Sequence, residues 1–111
     1  MYRFTKQQRL LTKQEYDYVF EKSQRVVTSD FVLLYRKNEC GFARLGLAIS
    51  KKSVNKAHHR NKIKRLLRET FRQQPNLKAI DIVVLARSSI HCDDFSKMHT
   101  TLSNAWDSLL T

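Results

Sequence analysis

Between Lys51 and Arg72 lie nine of the twenty-one Lys and Arg residues of the chain, against a single acid, Glu69. Guanidinium and ammonium groups in that density break no bonds on their own; they hold phosphates, and Arg does so with a planar fork of donors. Asn55 is positioned as an N-cap, so the stretch reads as a helix from about Lys56 until Pro75 stops it. Ile63, Leu66, Leu67, Thr70 and Phe71 then recur on one side at amphipathic spacing, with Asn61, Arg65, Arg68 and Arg72 opposite and Arg60 and Lys64 on the flank. A solvated surface helix mixes Glu with Lys at i,i+4, whereas Arg60, Lys64 and Arg68 form a like-charge row, as do Arg65, Arg68 and Arg72. Each repulsion costs a few tenths of a kcal/mol, roughly, until a polyanion neutralises it. The pattern points to a nucleic-acid face.

Groups that could carry out catalysis are scattered. His58 and His59 are sequence neighbours that project in different directions from a helix start, and His91-Cys92 and His99 lack a second cluster at zinc spacing. With two glycines there is no phosphate-binding glycine loop, and the ten acids form no carboxylate cluster able to hold a metal for phosphodiester hydrolysis. No catalytic residue, metal ligand or protein-bound cofactor is expected. Two aromatic residues, Tyr16 and Phe20, lie one turn apart after Thr12-Lys-Gln-Glu15, a capping-box pattern opening a short helix that ends near Glu21. By spacing alone they read as a core stripe beside Val19.

The whole chain of 111 residues is long enough for one domain with a modest core. A formal charge of +11 implies a polyanionic partner, either nucleic acid or an acidic membrane surface. No apolar run approaches a membrane span, and the N-terminus lacks the apolar core of a signal peptide, so Cys40 and Cys92 are expected to be reduced in the cytoplasm. No obligatory protein partner is evident.

The elements that must position the basic helix follow in order. Gln24 to Lys37 reads as extended with a bend at Ser29-Asp30, Phe31, Leu33 and Tyr35 alternating with Val32, Leu34 and Arg36. After a turn at Asn38 to Gly41, Phe42 to Ser50 reads as a strand with Ala43, Leu45, Leu47 and Ile49 on one side; small residues at 46, 48 and 50 leave room on the other for a backbone or a base. Asp81 to Arg87 is a buried strand, and Asp93 or Asp94 caps a last helix whose stripe of Phe95, Met98, Leu102, Ala105, Trp106 and Leu109 reads as core. The order is α-β-β-β-α-β-α, a single-domain α+β sandwich.

Arg60-Asn-Lys-Ile-Lys-Arg-Leu-Leu-Arg-Glu69, preceded by Lys51-Lys52 and Ala57, resembles the signature helix of the protein subunit of bacterial ribonuclease P, and the resemblance runs from Phe4 to about Leu110. The family's usual run is Arg-Asn-Arg, so Lys62 is a departure that keeps the charge and loses the fork. The resemblance implies a central four-stranded sheet with three helices and a left-handed β-α-β crossover, against the generic right-handed rule. It implies that Arg60, Asn61, Lys62, Lys64, Arg65 and Arg68 contact the ribonuclease P RNA, which carries the active site and its magnesium ions. It also implies that Phe20, Tyr16 and Lys52 face the single-stranded 5′ leader of precursor tRNA in a cleft against the sheet, a use of aromatic residues that overrides the core reading. Some relatives have a cleft tyrosine aligned with Leu34; Tyr35 stands one residue along, which reverses the strand face, so it does not simply replace that tyrosine. Charge and amphipathicity alone fit a stand-alone RNA- or DNA-binding protein equally well.

Overall fold

The computed structural model describes residues 8–74, 77–87, 90 and 94–109. Three helices and four strands alternate in the expected order: α1 (Lys13–Glu21), β1 (Gln24–Val27), β2 (Phe31–Lys37), β3 (Arg44–Ala48), α2 (Ala57–Arg72), β4 (Ile80–Ala86) and α3 (Phe95–Ser108). The strands form one mixed sheet in the order β1-β2-β4-β3, antiparallel except for the β3–β4 pair, which α2 connects.

Alternation along the strands sorts the side chains into two cores. Phe31, Leu33, Leu45, Ile82 and Val84 face α2 and α3, meeting Ile63, Leu67, Phe71, Met98, Leu102 and Trp106 in the larger core. Val83 faces the other way, onto Val19 of α1 and Leu10. Helices therefore cover both faces, and among the described residues α1 is the one helix on its side. Trp106 is core, as its spacing indicates: it is fully buried, its ring meets Phe71 edge-on, and its indole N–H donates to Thr70 Oγ1 at 2.8 Å.

Local signals were accurate where the chemistry was local. Thr12 and Glu15 form the complete capping box of α1. Asp94 caps α3, accepting from the Lys97 N–H; Pro75 and Asp93 lie outside the described residues. The start of α2 differs from expectation. Its N-cap is Lys56, not Asn55, and no side chain caps it. Arg60 instead ties down the loop that enters the helix, its Nη1 donating to the carbonyls of Val54 (2.9 Å) and Asn55 (3.0 Å). The third strand is also shorter than the extended stretch from Phe42 to Ser50.

Candidate nucleic-acid interface

In α2, Ile63, Leu67, Thr70 and Phe71 are buried, which turns Asn61, Lys62, Arg65 and Arg68 out to solvent. Arg65 is 80% exposed and has Glu69 within 3.5 Å, an i,i+4 pair that leaves its guanidinium available. Arg60 is only half outward, because Nη1 secures the loop before α2. Lys62 leans away from the helix axis and sets its ammonium 4.3 Å from the centroid of the Phe95 ring at the start of α3. Lys51 and Lys52 are exposed between β3 and α2.

Lys64 and Arg68 reach the outer edge of β3. There, with Arg9, Leu10, Tyr16 and Leu47, they line a hollow of about 220 Å³. The hollow joins α2, on one face of the sheet, to α1 on the other. Tyr16 anchors the α1 side. Its ring occupies the space above Gly46, where a Cβ would meet it at 2.8 Å, and its hydroxyl accepts the Leu47 N–H at 3.0 Å. The room expected beside Gly46 is thus filled by a tyrosine of the same chain. Phe20 follows one turn later, 46% exposed, its ring stacked with Tyr16 at 6.5 Å between centroids. Val32, Leu34, Ala48 and Leu85 lie half-buried on the same side of the sheet. Tyr35 belongs to the opposite face, packed on the larger core with its hydroxyl donating to Gln24 Oε1 at 2.9 Å, so it is not a neighbour of Phe20.

The other flank of α1 is held by charge. Arg44 places Nη1 2.7 Å from Glu15 Oε2 and clamps fully buried Asp81 through Nε (2.8 Å) and Nη2 (2.7 Å); Asn38 Nδ2 donates to the same carboxylate at 2.7 Å. The hydrogen bonds to Asp81 raise the pKa of Arg44. Glu15 is held below the ordinary carboxylate range, chiefly by the Leu11 N–H at 2.7 Å. Further along, Arg36 lies 3.7 Å from the centroid of the Tyr18 ring and donates to the Tyr18 carbonyl, while the Tyr18 hydroxyl donates to the Lys37 carbonyl. These ties fix where α1 sits, and with it Tyr16 and Phe20.

Contrary to the divergence expected of sequence neighbours, the His58 and His59 rings lie 4.3 Å apart. Desolvation first, then His58, Lys56 and Lys62, lowers the pKa of His59. Among the described residues no three His, Cys, Asp or Glu side chains cluster to hold a metal, and no helix is long and apolar enough to cross a membrane.

Residues 4–110 match the sequence model of the family described as Ribonuclease P. The chain belongs to that family. A ribonuclease P protein component from Legionella pneumophila (strain Corby) is 50% identical, with 98% of this chain and 95% of the relative covered. One from Proteus mirabilis is 42% identical over 93% of this chain and 87% of its own length. The fold agrees with solved ribonuclease P proteins: a Staphylococcus aureus mutant described as defective in mRNA degradation activity superposes with a TM-score of 0.81 (28% identity, 93% and 88% covered), and the Thermotoga maritima protein with 0.77 (33%, 90% and 96%).

As a ribonuclease P protein, the chain brings together most of the residues its sequence singled out. Asn61, Lys62, Arg65 and Arg68 share the exposed side of α2, whereas on α1 Phe20 is exposed and Tyr16, one turn earlier, is half-buried against β3. Lys64 and Arg68 join the two through the hollow at the β3 edge. Sequence reasoning missed Arg9 and Leu10, which reach that hollow by pairing with Leu45. It also missed the Arg44–Asp81 clamp. Asp81 sits at the head of an apolar run, which is a signal that a charged partner must be found, but nothing local names Arg44.

Proposed function

We propose that this chain is the protein subunit of the ribonuclease P ribonucleoprotein, which hydrolyses one phosphodiester bond to remove the 5′ leader from precursor tRNA. The chemistry belongs to the RNA subunit and the magnesium ions held there; the protein contributes no catalytic group and holds no cofactor of its own. Its basic helix lies on the ribonuclease P RNA through Asn61, Lys62, Lys64, Arg65 and Arg68, with Arg60 contributing the part of its guanidinium not bonded to the preceding loop. Phe20 and Tyr16 border the path of the leader, and Lys52 neutralises leader phosphate. All of this takes place in the cytoplasm.

One observation carries the reading. The cationic side of α2 and the aromatic side of α1, on opposite faces of the sheet, meet around the edge of β3 through Lys64, Arg68 and Tyr16. A basic track that ends in an exposed Phe20 ring, stacked on a half-buried Tyr16, suits an RNA scaffold followed by a single strand, because any base can stack while the backbone follows the charge. Physically, the cations offset repulsion between two polyanions, and the aromatic side favours precursor over mature tRNA.

The test is reconstitution. At low magnesium, a bacterial ribonuclease P RNA, precursor tRNA and this protein should together release mature 5′ ends that neither the RNA nor the protein yields alone. Tight RNA binding without any gain in cleavage would instead identify a stand-alone nucleic-acid-binding protein.

A further inference from the structure

A groove between α2 and the start of α3 shares Asn61, Lys62 and Arg65 with the RNA face, but its Phe95 and histidines have no part in the reading above. Phe95 forms its floor, with the ring half-buried at the first position of α3. The Lys62 ammonium lies 4.3 Å from the ring centroid, and the His59 ring is tilted against it at 6.3 Å. His58, Asn61, Arg65 and Leu66 line the walls, enclosing about 670 Å³. That volume falls within the range of small-ligand sites, about 300–1,000 Å³. Among the described residues Glu69 is the one acid on the wall, and Arg65 lies 3.5 Å from it.

These groups match a nucleotide part by part. The Phe95 ring offers a π-face on which any base can stack. Asn61 is exposed beside it with a carboxamide that both donates and accepts, as the edge of a base requires. Lys62, Arg65 and His58 supply donors for a phosphate. A phenylalanine serving only to seal the core would need neither the Lys62 ammonium over its face nor Arg65 on the same wall.

We propose that this groove takes one unpaired nucleotide extruded from the RNA that lies on α2, its base stacked on Phe95 and its phosphate held by Lys62. The proposal rests on the reading of α2 as the RNA face. On binding, the flexible stem of Lys62 swings the ammonium from the ring to the phosphate, and the base takes its place over the ring. A compact charge on four methylenes makes that move easily, which gives the departure at position 62 a use.

The experiment measures binding of the full chain to ribonuclease P RNA across a salt series, for the wild type, Phe95→Leu, Phe95→Tyr and Arg68→Ala. Leu keeps apolar bulk at the head of α3 but has no flat face. Phe95→Leu should bind roughly 5- to 150-fold more weakly, the loss of one stacked base, with an unchanged salt slope. Phe95→Tyr should bind like the wild type, and Arg68→Ala should weaken binding with a flatter slope. Ultraviolet irradiation of the wild-type complex should join Phe95 to a single RNA nucleotide, a readout that needs no variant and stands even where Phe95→Leu folds poorly. Wild-type affinity in a folded Phe95→Leu, or crosslinks that avoid Phe95, would overturn the groove; Arg68→Ala still weakening binding would then leave the α2 face intact. If Arg68→Ala also binds normally, the RNA lies elsewhere and the groove proposal falls with the α2 reading.

Discussion

Phe20 and Arg44 show how differently single residues serve the same helix, one projecting from α1 and the other seating it. Phe20 is 46% exposed, so Phe20→Ala should cost clearly less than the about 3–5 kcal/mol of a buried Phe truncation. It should instead remove about 1–3 kcal/mol of holoenzyme affinity for precursor with a long leader, leaving mature tRNA unaffected. Urea unfolding paired with the two affinities checks this; a large stability loss with precursor preference intact would make Phe20 a core residue. Arg44 works from behind. Arg44→Met leaves the Asp81 carboxylate fully buried with Asn38 as its remaining donor, a loss of about 3–5 kcal/mol. Arg44→Met with Asp81→Leu should recover much of it, since neither charge is then stranded. Equal stability of Arg44→Met and the wild type in urea would show that the clamp is not needed.

At the scale of elements, what the sequence revealed depended on how far each interaction reaches. The capping box of α1 spans four residues and was readable; the Arg44 clamp that seats the same helix joins positions 15, 44 and 81 and was not. The amphipathic stripe of α2 was readable because it repeats, whereas its N-cap was placed one residue early: the cap is Lys56, without a side-chain bond, and Arg60 holds the preceding loop from one turn inside. For α1, the Glu15 carboxyl is charged at pH values where a free glutamate begins to protonate. Its contribution is fully present above about pH 4.5 and fades as the pH falls through its lower folded value. Acid titration should therefore loosen α1 below that point, and Glu15→Gln should remove the part of the acid transition followed by tyrosine fluorescence. For α2, replacing Arg65 and Arg68 together with Ala should leave the helical circular dichroism intact, because both point away from the core. RNA affinity should fall, and the salt dependence should flatten by about 0.7–0.9 log units per contact per decade of salt. An unchanged slope would take this face out of the interface.

Across the whole molecule, the sheet acts as a partition with functional groups brought round one edge. The sequence disclosed the strand order of types, the two faces of each strand and the core position of Trp106, since each follows from period or polarity. It did not disclose that α1 lies across the sheet from α2 and α3, or that Lys64 comes level with Tyr16 across the β3 edge. Strand order alone decides that meeting: β3 is outermost because β4 inserts between it and β2. Phe95 is similar. Its spacing assigned it correctly to the core stripe, yet Lys62 and the histidines on the other helix determine what its open side faces.

The edge of β3 also bears on how the chain behaves before it meets RNA. A free strand edge is a template on which a second copy can add its own strand. Here the Leu10 N–H donates to the Leu45 carbonyl at 2.9 Å, and the Tyr16 hydroxyl takes up the Leu47 N–H, so two of the outward groups are already engaged. Tyr16→Phe would keep the ring over Gly46 and release that N–H. By holding that group Tyr16 guards the edge against self-association, and loss of one hydroxyl should be felt in solubility and shelf life.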